Sequence, residues 1–229
     1  MKICENLADI NQKIEEAALK SGRKREDITL VAVSKTVGAE QVFEAYGAGQ
    51  RVFAENRVQC LLEKLETTAE YNLTDVDWHL IGSLQTNKVK YIIDKVSLIH
   101  SVDSVHLAKE IDKCARKKDI KMSCLLQVNV SGEESKHGVT IESVDSIVEE
   151  FTKFDNLCLK GLMTMAPFDA SEYELRNIFS KLHKKYVDIA SQKGHNVDMS
   201  YLSMGMTNDF SYAIEEGSNM VRVGTGIFH

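Results

Sequence analysis

A single proline, Pro167, stands in 229 residues. Prolines therefore mark no interdomain linker, and neither a repeat nor a low-complexity tract divides the chain. Cysteine is sparse too: Cys4, Cys60, Cys114, Cys124 and Cys158 form no Cys-x-x-Cys pair and no Cys/His ligand spacing. That odd, scattered set argues against a disulfide framework or a zinc site and fits reduced thiols in the cytoplasm. Positive charge is in deficit, with 28 Lys and Arg against 34 Asp and Glu for a net charge of −6. Such a balance argues against nucleic acid or an anionic membrane as the main partner. The basic clusters Arg23–Arg25 and Lys113–Lys121 are short and interleaved with other residues, and read as solvated helix ends. No apolar run approaches the roughly 18 residues a membrane span needs. The N-terminus, MKICENLADINQKIEEAALK, is charged and helically periodic, unlike a signal peptide.

What is present is alternation. Residues 3–21 read as an amphipathic helix with Leu7, Ile10, Ile14 and Ala17/Ala18 on one face. Eight short apolar or β-branched runs follow, at 28–35, 51–56, 77–83, 97–103, 124–130, 159–165, 199–205 and 220–226. Helix-like stretches separate them, so that each run but the last is followed by a helix. Continuously apolar strands alternating with helices predict a parallel sheet covered on both faces. Eight such units favour one α/β domain over 1–229, a (β/α)₈ TIM barrel with an extra N-terminal helix. An open doubly wound sheet competes, but its Gly-rich first turn is missing: "TVGAE" after Lys35 holds one glycine.

Barrel chemistry collects at the C-terminal strand ends. There the sequence places Ser34-Lys35, Glu55-Asn56, Gly82-Ser83, "SMGMTND" (203–209), and Arg222 with Gly224 and Thr225. A lysine closing the apolar run "ITLVAVSK" is costly to bury unless it is paired or neutralised. In "SMGMTND", Ser203 offers a hydroxyl and Gly205 a close backbone approach. Asn208 or Asp209 is placed to cap a helix whose N-terminus favours anions. Gly224-Thr225 supplies a second small turn, and the last two barrel strands commonly carry the phosphate site. Closure sets the eighth strand beside the first, so Lys35, Arg222 and the cradle face one mouth. An imine-forming lysine, a phosphate site and an arginine between them describe pyridoxal 5′-phosphate (PLP), with an apolar surround expected to lower the lysine's pKa.

The motifs VAVSKT (31–36), FAEN (53–56), WHLIGSLQTNK (78–88) and IHSVDS (99–104) extend this, as do QVNVSGEESKHG (127–138), GLMTM (161–165), LSMGMTND (202–209) and VRVGTGIF (221–228). In this order, over nearly the whole chain, they resemble the pyridoxal phosphate homeostasis proteins, also described as proline synthase co-transcribed homologues. The resemblance implies a fold-type III PLP-binding barrel, similar to the N-terminal domain of alanine racemase. It implies PLP held as a Schiff base on Lys35. It further implies phosphate contacts at Ser203, Gly205, Gly224 and Thr225, Arg222 at the ring nitrogen and Asn56 near the ring or imine. Ala54, Ser83, Gly226 and His229 depart from the family's usual residues without removing a proposed contact.

Two functions then compete. A racemase needs bases on both faces of its substrate, and Tyr46, Tyr201 and Tyr212 are the candidate partners of Lys35. A guanidinium at the ring nitrogen does not readily accept a proton, so the pyridine stays unprotonated and is a weaker electron sink. The resemblance favours the alternative: a cytoplasmic carrier in PLP (vitamin B6) homeostasis, without established catalysis. Its expected partners are PLP and PLP-dependent client enzymes, and it is expected to be a monomer. His79 reads as a satisfied core histidine and the 131–138 stretch as a surface loop after the fifth strand, in which Lys136 is a candidate transient second site for the aldehyde.

Overall fold

The computed structural model describes residues 2–71, 73, 75–133, 137–191 and 194–229; Lys136 lies outside them. The N-terminal helix α1 (Lys2–Lys20) buries Ile3, Leu7, Ile10, Ile14, Ala17 and Ala18 along one stripe, each large aliphatic side chain contributing roughly 1.5–3 kcal/mol. The chain then alternates β1 (Thr29–Val33), α2 (Ala39–Gly47), β2 (Val52–Glu55), α3 (Val58–Glu70), β3 (Asp77–Leu80), α4 (Val89–Ile92), β4 (Leu98–Val102) and α5 (Val105–Lys117). It continues through β5 (Met122–Asn129), β6 (Val139–Thr140), α6 (Val144–Phe151), β7 (Leu157–Met163), α7 (Glu172–Ala190), β8 (Val197–Ser203), α8 (Phe210–Glu215), β9 (Met220–Val223) and α9 (Thr225–Phe228).

All strand pairings are parallel, in the order β4-β3-β2-β1-β9-β8-β7-β5, and pairing of β4 with β5 closes the ring. The predicted (β/α)₈ barrel is therefore observed. Two elements are additional: β6, a two-residue strand beside β5, and α9, which follows the final strand where no helix was expected. Neither is long enough to show a hydrophobic period.

Strand apolarity follows from burial on both faces. Val31, Val33, Ala54, Leu98, Leu125, Met163 and Met220 form one cluster inside the barrel. Phe53, Trp78, Leu80 and Ile99 belong to the larger cluster shared with the surrounding helices. Local chemistry sets the helix ends. The Ser171 hydroxyl accepts from Glu174 N–H while Ser171 N–H donates to the Glu174 carboxylate, a capping box that starts α7. Arg23 donates to Ser218 O at 2.8 Å and to the carbonyl of Ile214, placing a cation at the C-terminal end of α8.

One of the buried polar clusters lies between the sheet and α3. Glu55 at the end of β2 and Lys64 on α3 form an ion pair. Ser34 Oγ donates to Glu55 Oε1 at 2.7 Å, and Lys64 Nζ donates to Ser34 O at 2.6 Å. The residue preceding Lys35 is thus pinned through both its side chain and its carbonyl.

Candidate functional site

A cavity of about 690 Å³ opens at the C-terminal mouth of the barrel, within the size range of small-ligand sites. Successive strand ends supply its wall: Lys35 and Thr36 after β1, Asn56 after β2, Gly82 after β3. Met165 follows β7, and the loop 206–209 links β8 to α8. Arg222, Gly224 and Thr225 complete it from β9 and α9. Gly82 is there of necessity, because a Cβ would lie 2.0 Å from Asn56 O.

The structure brings five of the seven expected residues to this cavity: Lys35, Asn56, Arg222, Gly224 and Thr225. Lys35 is exposed, contrary to the buried lysine that its apolar run predicts. The reason is that β1 ends at Val33 and the chain turns outward before Lys35. Among the described residues its amine makes no hydrogen bond or ion pair, so it stands free in the mouth.

Ser203 and Gly205 do not line the cavity. Ser203 is fully buried inside the barrel, and its hydroxyl is engaged by Arg222 Nη1 at 2.6 Å and His100 Nδ1 at 3.1 Å. Gly205 is buried with φ +96°, where a Cβ would meet Ala213 Cβ at 2.7 Å. Both shape the loop from below. Asp209 occupies the N-cap of α8, but its carboxylate turns back to accept from Met206 N–H, away from the helix. Burial raises the Asp209 pKa against that backbone hydrogen bond and the nearby Arg222 charge.

Arg222 is 4% exposed and reaches the cavity from within the barrel. Nη1 donates to Ser203 and Nη2 to Thr164 O at 2.8 Å, and among the described residues its remaining N–H groups are uncommitted. Burial lowers its pKa to about 10, so it stays a cation at neutral pH. Among the described residues, the backbone N–H groups of Thr207, Asn208 and Gly224 also make no hydrogen bond. Thr207, whose hydroxyl accepts from Gly226 N–H at 3.4 Å, is a lining residue that strand-end reasoning did not single out. Of the three tyrosines, Tyr212 alone lines this cavity; Tyr46 bonds Asp75, and Tyr201 packs inside the barrel.

A free primary amine, a buried guanidinium and unpartnered N–H groups together suit a small molecule bearing a carbonyl and an anionic group. Among the described residues no cluster could hold a metal ion, and no helix is long and apolar enough to cross a membrane.

Residues 6–229 match the family model described as alanine racemase, N-terminal domain. Among curated proteins, the chain is 42% identical to the pyridoxal phosphate homeostasis protein of Aquifex aeolicus, covering 100% of this chain and 98% of that one. It is 37% identical to the protein of the same name from Escherichia coli K12, covering 99% and 95%. Among solved structures, PipY of Synechococcus elongatus PCC7942 with PLP bound superposes with a TM-score of 0.87 at 31% identity, covering 99% and 100%. An alanine racemase from Clostridium difficile gives 0.69 at 19% identity, covering 99% of this chain and 56% of that one, a likeness of fold alone.

Proposed function

The chain belongs to the pyridoxal phosphate homeostasis protein family, and from that premise we propose that its cavity holds PLP covalently on Lys35. The observation carrying this reading is the Lys35 amine, free among the described residues, facing the same cavity as buried Arg222, which forms no ion pair among the described residues. Bound there, PLP supplies a reactive aldehyde together with a phosphate dianion and a pyridine ring.

The chain's own residues divide the task. Lys35 Nζ is the nucleophile toward the aldehyde, and its exposed position leaves it free to capture and release. Thr207, Asn208 and Gly224 direct their N–H groups to the phosphate, with Thr225 beside them. Asn56 stands near the ring. Arg222 donates to the ring nitrogen and, being a donor only, does not protonate it. That weakens electron withdrawal and suits holding the cofactor over transforming amino acids. The protein therefore acts as a cytoplasmic PLP carrier that buffers the aldehyde and passes it to PLP-dependent enzymes.

The test is the visible spectrum of purified protein with added PLP, before and after Lys35→Ala. A lysine-bound PLP band that disappears in the variant supports the reading; a band that persists, or none in either protein, overturns Lys35 as the attachment point. Racemisation of added amino acids, followed by circular dichroism, separates carrier from enzyme. Turnover that falls at least tenfold in Tyr212→Phe would favour the racemase.

A further inference from the structure

Below the cavity, a file of polar side chains runs down the inside of the barrel. Arg222 Nη1 lies 2.6 Å from Ser203 Oγ, and Ser203 Oγ lies 3.1 Å from His100 Nδ1. His100 Nε2 lies 3.0 Å from His79 Nδ1. His79 Nε2 lies 3.3 Å from Asp77 Oδ2 at the opposite rim, where Ser97 donates to the other carboxylate oxygen. His79, His100, Ser203 and Arg222 are each at most 4% exposed. They interrupt the mainly aliphatic cluster of Val31, Val33, Ala54, Leu98, Leu125, Met163 and Met220, so the file is built at the cost of core packing.

Elementary chemistry fixes the direction of every proton in it. A guanidinium only donates, so Ser203 Oγ accepts from Arg222. The Ser203 O–H then has one acceptor in reach, His100 Nδ1, which must be bare. His100 therefore carries its proton on Nε2 and donates to His79 Nδ1, and His79 donates from Nε2 to the Asp77 carboxylate. Reversing the file would bury the Ser203 O–H without an acceptor and turn a bare imidazole nitrogen toward a carboxylate, unless His79 became a cation. Burial, His79 and the Arg222 charge all hold the His100 pKa well below the usual imidazole value, in keeping with a neutral ring.

We infer that His100 is a positioning residue: by accepting the Ser203 proton it makes Ser203 present a lone pair to Arg222, which fixes the guanidinium's free N–H groups toward the cavity. The inference rests on the PLP reading for its ligand, but the file exists in the ligand-free protein and is measurable there. Without that acceptor the Ser203 hydroxyl rotates, and Arg222 loses the partner that sets its plane.

The decisive experiment compares His100→Leu with His100→Asn. Leu fills the site with an apolar side chain but offers no acceptor; Asn is smaller yet places a carbonyl oxygen near the Nδ1 position. If His100 positions Arg222, PLP affinity falls about tenfold in His100→Leu, the loss of roughly one hydrogen bond, and is largely restored in His100→Asn. A purely space-filling role predicts the reverse ranking; that result, or equal affinities for the two variants, overturns the proposal. Urea midpoints of both variants verify that they fold and report packing separately. Imidazole ¹⁵N spectra of the ligand-free protein give an independent arm: His100 is expected neutral with a protonated Nε2. A protonated Nδ1 overturns the inference whatever PLP does. A wild-type protein that fails to bind PLP overturns the parent reading and the positioning role with it, and the ¹⁵N arm tells that failure from a reversed file.

Discussion

Gly205 holds φ at +96°, a conformation that an L side chain rarely adopts, directly beneath the loop that walls the cavity. A Cβ there would also lie 2.8 Å from Phe210 Cα, a backbone atom with little room to move. Gly205→Ala is expected to cost about 2–4 kcal/mol, summing left-handed strain and overpacking, measured as a lower urea midpoint at unchanged slope. A loss under about 1 kcal/mol would mean that the 205–210 turn relaxes freely. The need for glycine at this position was legible in the sequence, but the close approach to α8 that the structure shows there was not. Ser203 teaches the same lesson. Its small hydroxyl in "LSMGM" reads as a phosphate contact, but the alternation of side chains along β8 turns it inward onto Arg222. Lys35 shows the converse. Its place at the barrel mouth was legible from its position at a strand end, while the two-residue difference between run and strand moved it out of the core.

Helices hold the C-terminal face of such a barrel from outside, and α3 does so through one buried ion pair. Lys64 bonds both Glu55 and the Ser34 carbonyl, although the 56–68 stretch reads from sequence only as a helix with scattered polar residues. Nothing in helical periodicity distinguishes a lysine that turns under the sheet from one that faces water. Glu55 Oε2 has no partner among the described residues, so the acid depends on Lys64. Lys64→Met is expected to lose about 3–5 kcal/mol by stranding that carboxylate. The double variant Lys64→Met/Glu55→Gln should recover more than half of it, read as a coupling energy in urea unfolding. If the double variant is no more stable than the single one, the loss comes from packing around Lys64 and not from the stranded charge. Loosening Ser34 should also speed dissociation of PLP from neighbouring Lys35, seen as faster decay of the visible band on dilution.

At the scale of the molecule, the barrel was legible because its strands are apolar on both faces and its connecting helices are amphipathic, while β6 and α9 are too short to carry a period. The interior file was not legible, because "WHLIGS" and "IHSVDS" do not say which histidines face inward or whether they meet. Pairing of β3 with β4 sets His79 beside His100, the barrel interior brings His100 to Ser203 of β8, and the whole fold then inherits their proton chemistry. His100 stays neutral in the folded barrel, whereas in the unfolded chain it titrates near 6.5. A base whose folded pKa is depressed binds fewer protons in the native state, so stability is lost as pH falls below about 6.5. One such proton gives a slope of at most about 1.4 kcal/mol per pH unit. Asp209 works in the opposite sense: its raised pKa adds protons to the folded state and gains stability as pH falls toward the ordinary carboxylate range. Surface carboxylates with lowered pKa, such as Asp94 and Asp198, lose their contribution only at more acidic pH. Among these groups, His100 alone takes stability away as pH falls just below 6.5. Urea unfolding across that window should show wild-type stability falling with pH and His100→Asn nearly flat. Parallel curves for the two proteins would mean that the barrel accepts a proton on His100 without opening, and that the ring is not held neutral by the fold.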